Sequence, residues 1–160
     1  MNKTPLERFL KYSSMVSNEH IFLSESQLNS YLKENQFNYI NIPSLNLFRD
    51  CVIDEKGIES AIVEAEAGIS ETGTVVVMSE DEKLRLATSL CEELTVVLYT
   101  DKIFNNLEDI APLLEANMRK ESNYIAFITG ASRTADIERV LTIGVHGPVR
   151  MKVILTGREE

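Results

Sequence analysis

Hydrophobic and polar positions follow two periods along the chain, and each change of period marks a change of element. Between residues 4 and 18, Leu6, Phe9, Leu10 and Val16 fall on one helical face, with Thr4 placed to cap and Pro5 in the first turn. After the apolar Ile21-Phe22-Leu23, Ser24 or Ser26 can open a second helix with Leu28, Tyr31 and Leu32 inward. Residues 35–57 mix polar and aromatic residues around Pro43, and short strands are expected there. From Ala61 to Ile69 the period becomes two. Ala61, Val63, Ala65, Ala67 and Ile69 share one face while Ile62, Glu64 and Glu66 share the other, the pattern of a half-buried strand.

The turn-like Ser70-Glu71-Thr72-Gly73 leads into Thr74-Val75-Val76-Val77-Met78, a run suited to a central strand. A helix is expected from Ser79 to about residue 93, with Leu84, Ala87, Cys91 and Leu94 inward. Its first turn would hold Glu80, Asp81 and Glu82, where the helix dipole favours acids. Thr95–Tyr99, Tyr124–Ile128 and Met151–Leu155 read as further buried strands, and residues 107–120 as a helix with Pro112 near its start and Arg119-Lys120 at its end. Strands alternating with helices predict an α/β fold, a mostly parallel sheet flanked by helices. The Glu71-Thr72-Gly73-Thr74 hairpin requires at least one antiparallel pair. Residues 1–57 are expected to pack as N-terminal helices and short strands on an α/β core spanning 58–160, all within one compact domain.

Charge narrows the function classes. The 160 residues carry 25 Asp and Glu against 16 Lys and Arg, a net charge of −9. That balance repels phosphate backbones and anionic lipid surfaces, so nucleic acid and membrane surfaces are not expected partners. No apolar run reaches the length of a membrane span, and MNKTPLERFL has no signal core, so a cytoplasmic protein is expected. The acid is concentrated: residues 1–120 hold 11 basic and 20 acidic side chains, whereas residues 121–160 hold five of each. Within 129–152, Arg133, Arg139, Arg150 and Lys152 outnumber Asp136 and Glu138, which hints at a region that handles an anion.

Cys51 and Cys91 have no Cys or His at ligand spacing, so no cofactor or metal is expected on this chain, and both thiols read as small hydrophobes. His20, ahead of the apolar Ile21-Phe22-Leu23, reads as structural. Phosphate-binding, dinucleotide and nucleophile-elbow glycine patterns are missing from the sequence.

Two loops carry candidate chemistry. Ser70-Glu71-Thr72-Gly73-Thr74 places a carboxylate, hydroxyls and a glycine in one turn, which is equally good hairpin chemistry. Thr129-Gly130-Ala131-Ser132-Arg133-Thr134 follows a strand and precedes a short helix expected over Ala135–Leu141. At such a junction glycine lets a ligand approach, helix N–H groups point outward, and Arg133 offers a planar fork to a carboxylate or phosphate. A lock within the protein explains the same residues. Thr134 can cap, Asp136 and Glu138 can answer the helix dipole, and Arg133 can pair with Asp136 or Glu71. His146, in Gly144-Val145-His146-Gly147-Pro148, could polarise a carbonyl or carry a proton.

AGISETGTVVV at 67–77 and ITGASRTADIERVLTIGVHGPVRMKVIL at 128–155 together resemble the LUD-domain family, in its lactate-utilisation protein C branch. The hallmark is an ETGT-type turn, then a G-P-S-R-T-A-D-I-E run, then G-V-H-G-P. The resemblance covers about residues 58–156. Ala131 stands where the family has proline, and the N-terminal part is shorter than the family's usual one. The resemblance implies a fold of the NagB/RpiA/CoA-transferase type. It also implies a role with iron–sulfur partner proteins in oxidising L-lactate to pyruvate, the clusters residing in those partners. The family's motif positions fall on Glu71, Thr72, Gly73, Thr74, Gly130, Ser132, Arg133, Thr134, Asp136, Glu138, His146, Gly147 and Pro148.

Two functions follow as expectations. In the first, the chain binds a small carboxylate or CoA-like anion: Arg133 clamps it, the Ser132 and Thr134 groups surround it, and His146 or Glu71 serves as acid or base. In the second, it is a non-catalytic assembly or regulatory subunit whose motif loops form an internal salt-bridge lock. An enzyme of the wider fold group, such as a CoA transferase with Glu71 as nucleophile or a formyltetrahydrofolate cyclo-ligase-like protein, is the more distant alternative.

Overall fold

A computed structural model describes residues 3–118, 124–131 and 148–157. Helix α1 spans Pro5–Met15 and starts as its sequence dictates: Thr4 Oγ1 accepts from the Glu7 N–H at 3.1 Å while the Glu7 carboxylate accepts from the Thr4 N–H at 2.9 Å. Val16, expected inward, instead follows the last turn and is exposed, because Ser17 adopts a left-handed backbone (φ 68°) that turns the chain away. Strand β1 (Glu19–Phe22) leads to α2 (Glu25–Glu34), capped in the same reciprocal way by Ser24 and Gln27. Strands β2 (Tyr39–Ile42) and β3 (Leu47–Arg49) are the short strands expected around Pro43.

The segment Ala61–Ile69 is not one half-buried strand. It divides into β4 (Ile58–Glu64) and β5 (Ala67–Ile69), which belong to different sheets. Ala61, Ile62 and Val63 are all fully buried, so both faces of β4 are covered, and the apparent alternation arises from the crossing at Ala65-Glu66. Strand β6 (Thr74–Ser79) pairs antiparallel with β5, as the hairpin required. Helix α3 (Glu82–Leu90) is shorter than expected at both ends. Asp81 caps it, accepting from the Lys83 N–H at 2.9 Å, and Cys91 and Leu94 belong to strand β7 (Cys91–Tyr99). Their burial is that of a central strand. The rest comprises β8 (Ile103–Phe104), α4 (Ala111–Met118), β9 (Tyr124–Ile128) and β10 (Arg150–Thr156). The helix expected over 135–141 and the end of the 107–120 helix lie outside the described residues.

The main sheet has the order β1-β10-β7-β4-β2-β3 and is parallel throughout except for the β2–β3 pair. A second sheet, β8-β5-β6-β9, is mixed. Helix α2 covers one face of the main sheet, where Leu28 and Phe37 meet Ile62, Val97 and Ile154. On the other face Ala61, Val63, Leu94, Val96, Leu98, Val153 and Leu155 meet Phe9 of α1, Leu84 and Ala87 of α3, and Val75 and Val77 of β6. Val76, between them, points the opposite way toward Ile110 and α4. This is the expected α/β architecture, with a second sheet added to its layers. Among the described residues no helix is long and apolar enough to cross a membrane.

Candidate functional site

The two motif loops meet because of strand register. Ile69 pairs with Thr74 across the β5–β6 hairpin, and Val75 pairs with Ile128 across β6–β9. The residues just beyond the Val75–Ile128 pair, Thr74 and Thr129, therefore stand together. Thr74 Oγ1 lies 2.8 Å from Thr129 Oγ1 and 2.8 Å from Thr72 Oγ1, so three hydroxyls form a chain. Strand β9 reaches this point as an antiparallel edge of the second sheet, not as a member of the parallel sheet from which its loop chemistry was anticipated.

A third segment, absent from both motifs, seats the pair. Gly73 has φ +68° and lies so close to the end of α1 that a Cβ would overlap the backbone of Tyr12 and Ser13. Gly130 packs on the α1–β1 connection, where a Cβ would stand 2.9 Å from Val16 Cγ2 and 3.3 Å from Asn18 Oδ1. Asn18 donates from Nδ2 to the Thr129 carbonyl at 2.7 Å and to Ser13 Oγ at 2.9 Å, and Ser13 Oγ also lies 2.8 Å from His20 Nε2. The chain of polar groups thus runs Thr72, Thr74, Thr129, Asn18, Ser13, His20. Burial holds the His20 pKa below its ordinary 6.5, favouring the neutral ring that suits a hydroxyl partner. Asn18 Oδ1 and Ser70 Oγ are buried without a hydrogen-bond partner among the described residues.

Of the expected site residues, Thr72, Gly73, Thr74 and Gly130 come together here. Glu71 is exposed at the tip of the turn, its N–H bonded to the Asn105 carbonyl at 3.2 Å. Ser132, Arg133, Thr134, Asp136, Glu138, His146 and Gly147 lie outside the described residues, while Pro148 is buried at the approach to β10. Ser13 and Asn18 escaped the sequence reading, and His20 was read there as structural. One signal was available: Ser13 stands one helical turn after Phe9, an inward position, and both are fully buried.

The described part of the basic stretch is electrically matched. Arg150 Nε pairs with Glu93 at 2.9 Å, and Lys152 Nζ with Glu19 at 3.8 Å, across adjacent strands. These four line a cleft of about 130 Å³ together with Ser17 and Ala131. A second polar cluster stands at the carboxyl ends of the parallel strands. There the Tyr99 hydroxyl donates to Glu25 Oε2 at 2.7 Å and lies 2.8 Å from Ser44 Oγ, while the Ser44 N–H donates to Glu64 at 2.8 Å. Burial is the main cause that pushes the Tyr99 pKa up to about 12. Cys91 is buried, its thiol pushed up to about 12 by the same cause, whereas Cys51 is half-buried.

The fold and the joined turns define an α/β protein of the LUD type. The LUD domain model matches residues 12–156, and the chain belongs to that family. It is 36% identical over 90 residues to lactate utilization protein C of Deinococcus radiodurans, covering 56% of this chain and 42% of that protein. It is 27% identical over 146 residues to lactate utilization protein C 1 of Bacillus mycoides, covering 89% and 62%. Identity to the Escherichia coli protein YkgG is 35% over 92 residues, covering 56% and 40%. The chain therefore spans roughly two fifths to three fifths of these relatives' lengths. The crystal structure of a DUF162 family protein from Deinococcus radiodurans shares the fold, with a TM-score of 0.65 at 16% identity and 96% coverage of both chains.

Proposed function

We propose that this chain serves in the utilisation of L-lactate as a LUD-domain component working beside iron–sulfur partner proteins in the cytoplasm, and that it binds a small carboxylate or CoA-like anion where its motif turns meet. The names of its relatives support the pathway. The observation that carries the site is the contact of Thr74 with Thr129, which joins motifs 55 residues apart through one hydroxyl pair. Hydroxyls and a glycine-lined approach suit an anion without fixing its identity. With two cysteines, the chain is assigned a binding and positioning role, and electron transfer is assigned to the partners.

Growth tests this directly. A strain lacking the chain should lose growth on L-lactate and keep it on glucose. Wild type should restore it, and Thr74→Val should restore it incompletely. Co-purification from the complemented strain should bring down iron–sulfur proteins. Unimpaired growth of the deletion strain on lactate would overturn the proposal. The matched pairs of Arg150 and Lys152 favour one second reading, an assembly subunit whose charged groups answer one another. In that case co-purification persists while Thr74→Val leaves growth unchanged.

A further inference from the structure

We propose that Asn18 is the positioning residue of the junction between the motif turns, and that the charge state of His20 sets which way its carboxamide faces. The turn at Thr129 is held while the ring is neutral and released when the ring is charged. This deepens the binding role above, on which it rests, by naming a regulation of the same site through residues outside both motifs.

The direction of donation fixes the arrangement. The Thr129 carbonyl only accepts, and it lies 2.7 Å from Asn18 Nδ2, so the amide nitrogen faces it. The second hydrogen of Nδ2 goes to Ser13 Oγ at 2.9 Å. With that lone pair occupied, Ser13 directs its own hydrogen to His20 Nε2 at 2.8 Å. Nε2 accepts only when the ring is neutral and its hydrogen sits on Nδ1. Each group thus donates to the next, from Asn18 through Ser13 to His20. The orientation leaves Asn18 Oδ1 buried without a partner among the described residues, while Nδ2 has two.

Protonation reverses the row. A charged ring donates from Nε2 to Ser13 Oγ, and the hydroxyl hydrogen of Ser13, a fully buried residue, then needs another acceptor. Asn18 Oδ1 becomes that acceptor when the carboxamide rotates by half a turn, which exchanges Oδ1 and Nδ2 at nearly constant shape. Rotated, the amide sets its oxygen against the Thr129 carbonyl, and that bond is lost. Gly130 follows directly and packs on Val16 and Asn18, so the loss reaches the second motif turn.

His20 is placed to take the proton. Its ring is half-buried, and burial holds its pKa below the ordinary 6.5. It stands beside Val153 on the face of the sheet that meets α1. Glu19 and Lys152, the neighbouring charges on β1 and β10, project to the other face, where Lys152 meets Tyr31 of α2. On α1, Glu7, Arg8 and Lys11 lie about 120° or more round the helix from Ser13, and Tyr12 to its side. From β9 and the ETGT turn the titratable groups are Tyr124, whose hydroxyl lies 3.4 Å from Thr88 Oγ1, and the exposed Glu71. Among the described residues, burial and not a neighbouring charge sets the ring's affinity for the proton.

Nitrogen-15 NMR of the full chain tests this without ligand. At pH 7.5 the His20 ring should carry its hydrogen on Nδ1 and leave Nε2 bare. As pH falls toward 5, the Asn18 carboxamide and the Gly130 amide should shift with the same midpoint as the ring, because the Gly130 nitrogen shares its peptide bond with the Thr129 carbonyl. Ser13→Ala removes the link. The ring should still titrate, its midpoint moved up toward 6.5, while the Gly130 shift over that range disappears. His20→Gln should flatten both resonances, and it decides in place of Ser13→Ala if that change unfolds the protein. An Nε2–H tautomer at pH 7.5, a ring that stays neutral down to pH 5, a Gly130 amide that ignores the ring in wild type, or one that still shifts in the variants overturns the relay. Lactate growth independent of the chain sinks the binding role and leaves the relay standing, since these resonances need no ligand. A flat Gly130 amide with growth still dependent on the chain does the reverse.

Discussion

The polar cluster around Tyr99 and the one around Asn18 both sit at the ends of buried strands, yet they differ in one respect that bears on function. At Tyr99, hydroxyls, carboxylates and backbone satisfy one another in a row: Glu25 and Ser44 meet the Tyr99 hydroxyl, and the Ser44 N–H meets Glu64. At Asn18 the chain of bonds runs from His20 to Thr72 and leaves Asn18 Oδ1 without a partner among the described residues. Ligands in parallel sheets favour the carboxyl ends of strands, which would direct attention to Tyr99. Satisfaction of the groups points the other way. A cluster that has used its hydrogen bonds internally is structural, and one holding buried groups in reserve is where a partner fits.

The largest test of this contrast is Gly73→Ala. The left-handed backbone alone costs about 1–3 kcal/mol for an alanine, and the methyl would also overlap the end of α1. Urea denaturation should report at least that loss, and lactate growth should fall with it, because the ETGT turn would be pushed off its seat. Tyr99→Phe comes next. It removes the hydroxyl that Glu25 and Ser44 share, and should cost about 1–2 kcal/mol because one partner is charged. Growth on lactate should be untouched. A growth defect from Tyr99→Phe in a protein of normal abundance would break the comparison.

Much of the fold was legible because its strands are extreme in composition. Val75-Val76-Val77 and Val96-Val97-Leu98 sit between layers on both faces and read as buried runs. The boundary at Ala65-Glu66 was not legible, since a strand that leaves one sheet for another keeps the same alternation across the crossing. The C-terminal limit of α3 was missed for a related reason. Cys91 and Leu94 fit a helical face as well as a strand, and only the pairing of β7 with β4 and β10 decides. For the site, the glycines and hydroxyls of both turns announced themselves, whereas Ser13 and Asn18 did not, and His20 read only as structural. Their role comes from where α1 ends in space, and one sequence carries no record of that contact.

Thr74→Val probes the hydroxyl chain at nearly constant volume. Thr74 is buried, but Thr72 and Thr129 are exposed and can turn to water, so the stability cost should stay near 1 kcal/mol by urea denaturation. Lactate growth should fall more than that small loss explains.

The smallest effect is a pH dependence set by His20. Its folded pKa lies below the ordinary 6.5 because burial disfavours the charged ring. The unfolded chain therefore binds the proton more readily, and stability rises with pH wherever the unfolded state holds more protons. The contribution is complete above 6.5 and is lost as pH falls from 6.5 through the lower folded pKa. His20→Gln keeps a polar group opposite Ser13 Oγ and removes the titration, so its stability should change less between pH 7 and pH 5 than that of wild type. The difference should be below about 1 kcal/mol for a half-buried ring. Urea midpoints across that range check it, and parallel profiles for the two proteins would show that His20 is indifferent to the proton. Among the described residues the Tyr99 cluster contains no histidine, so Tyr99→Phe should track wild type over the same range. A flattened profile in that variant would assign the acid sensitivity to the wrong end of the molecule.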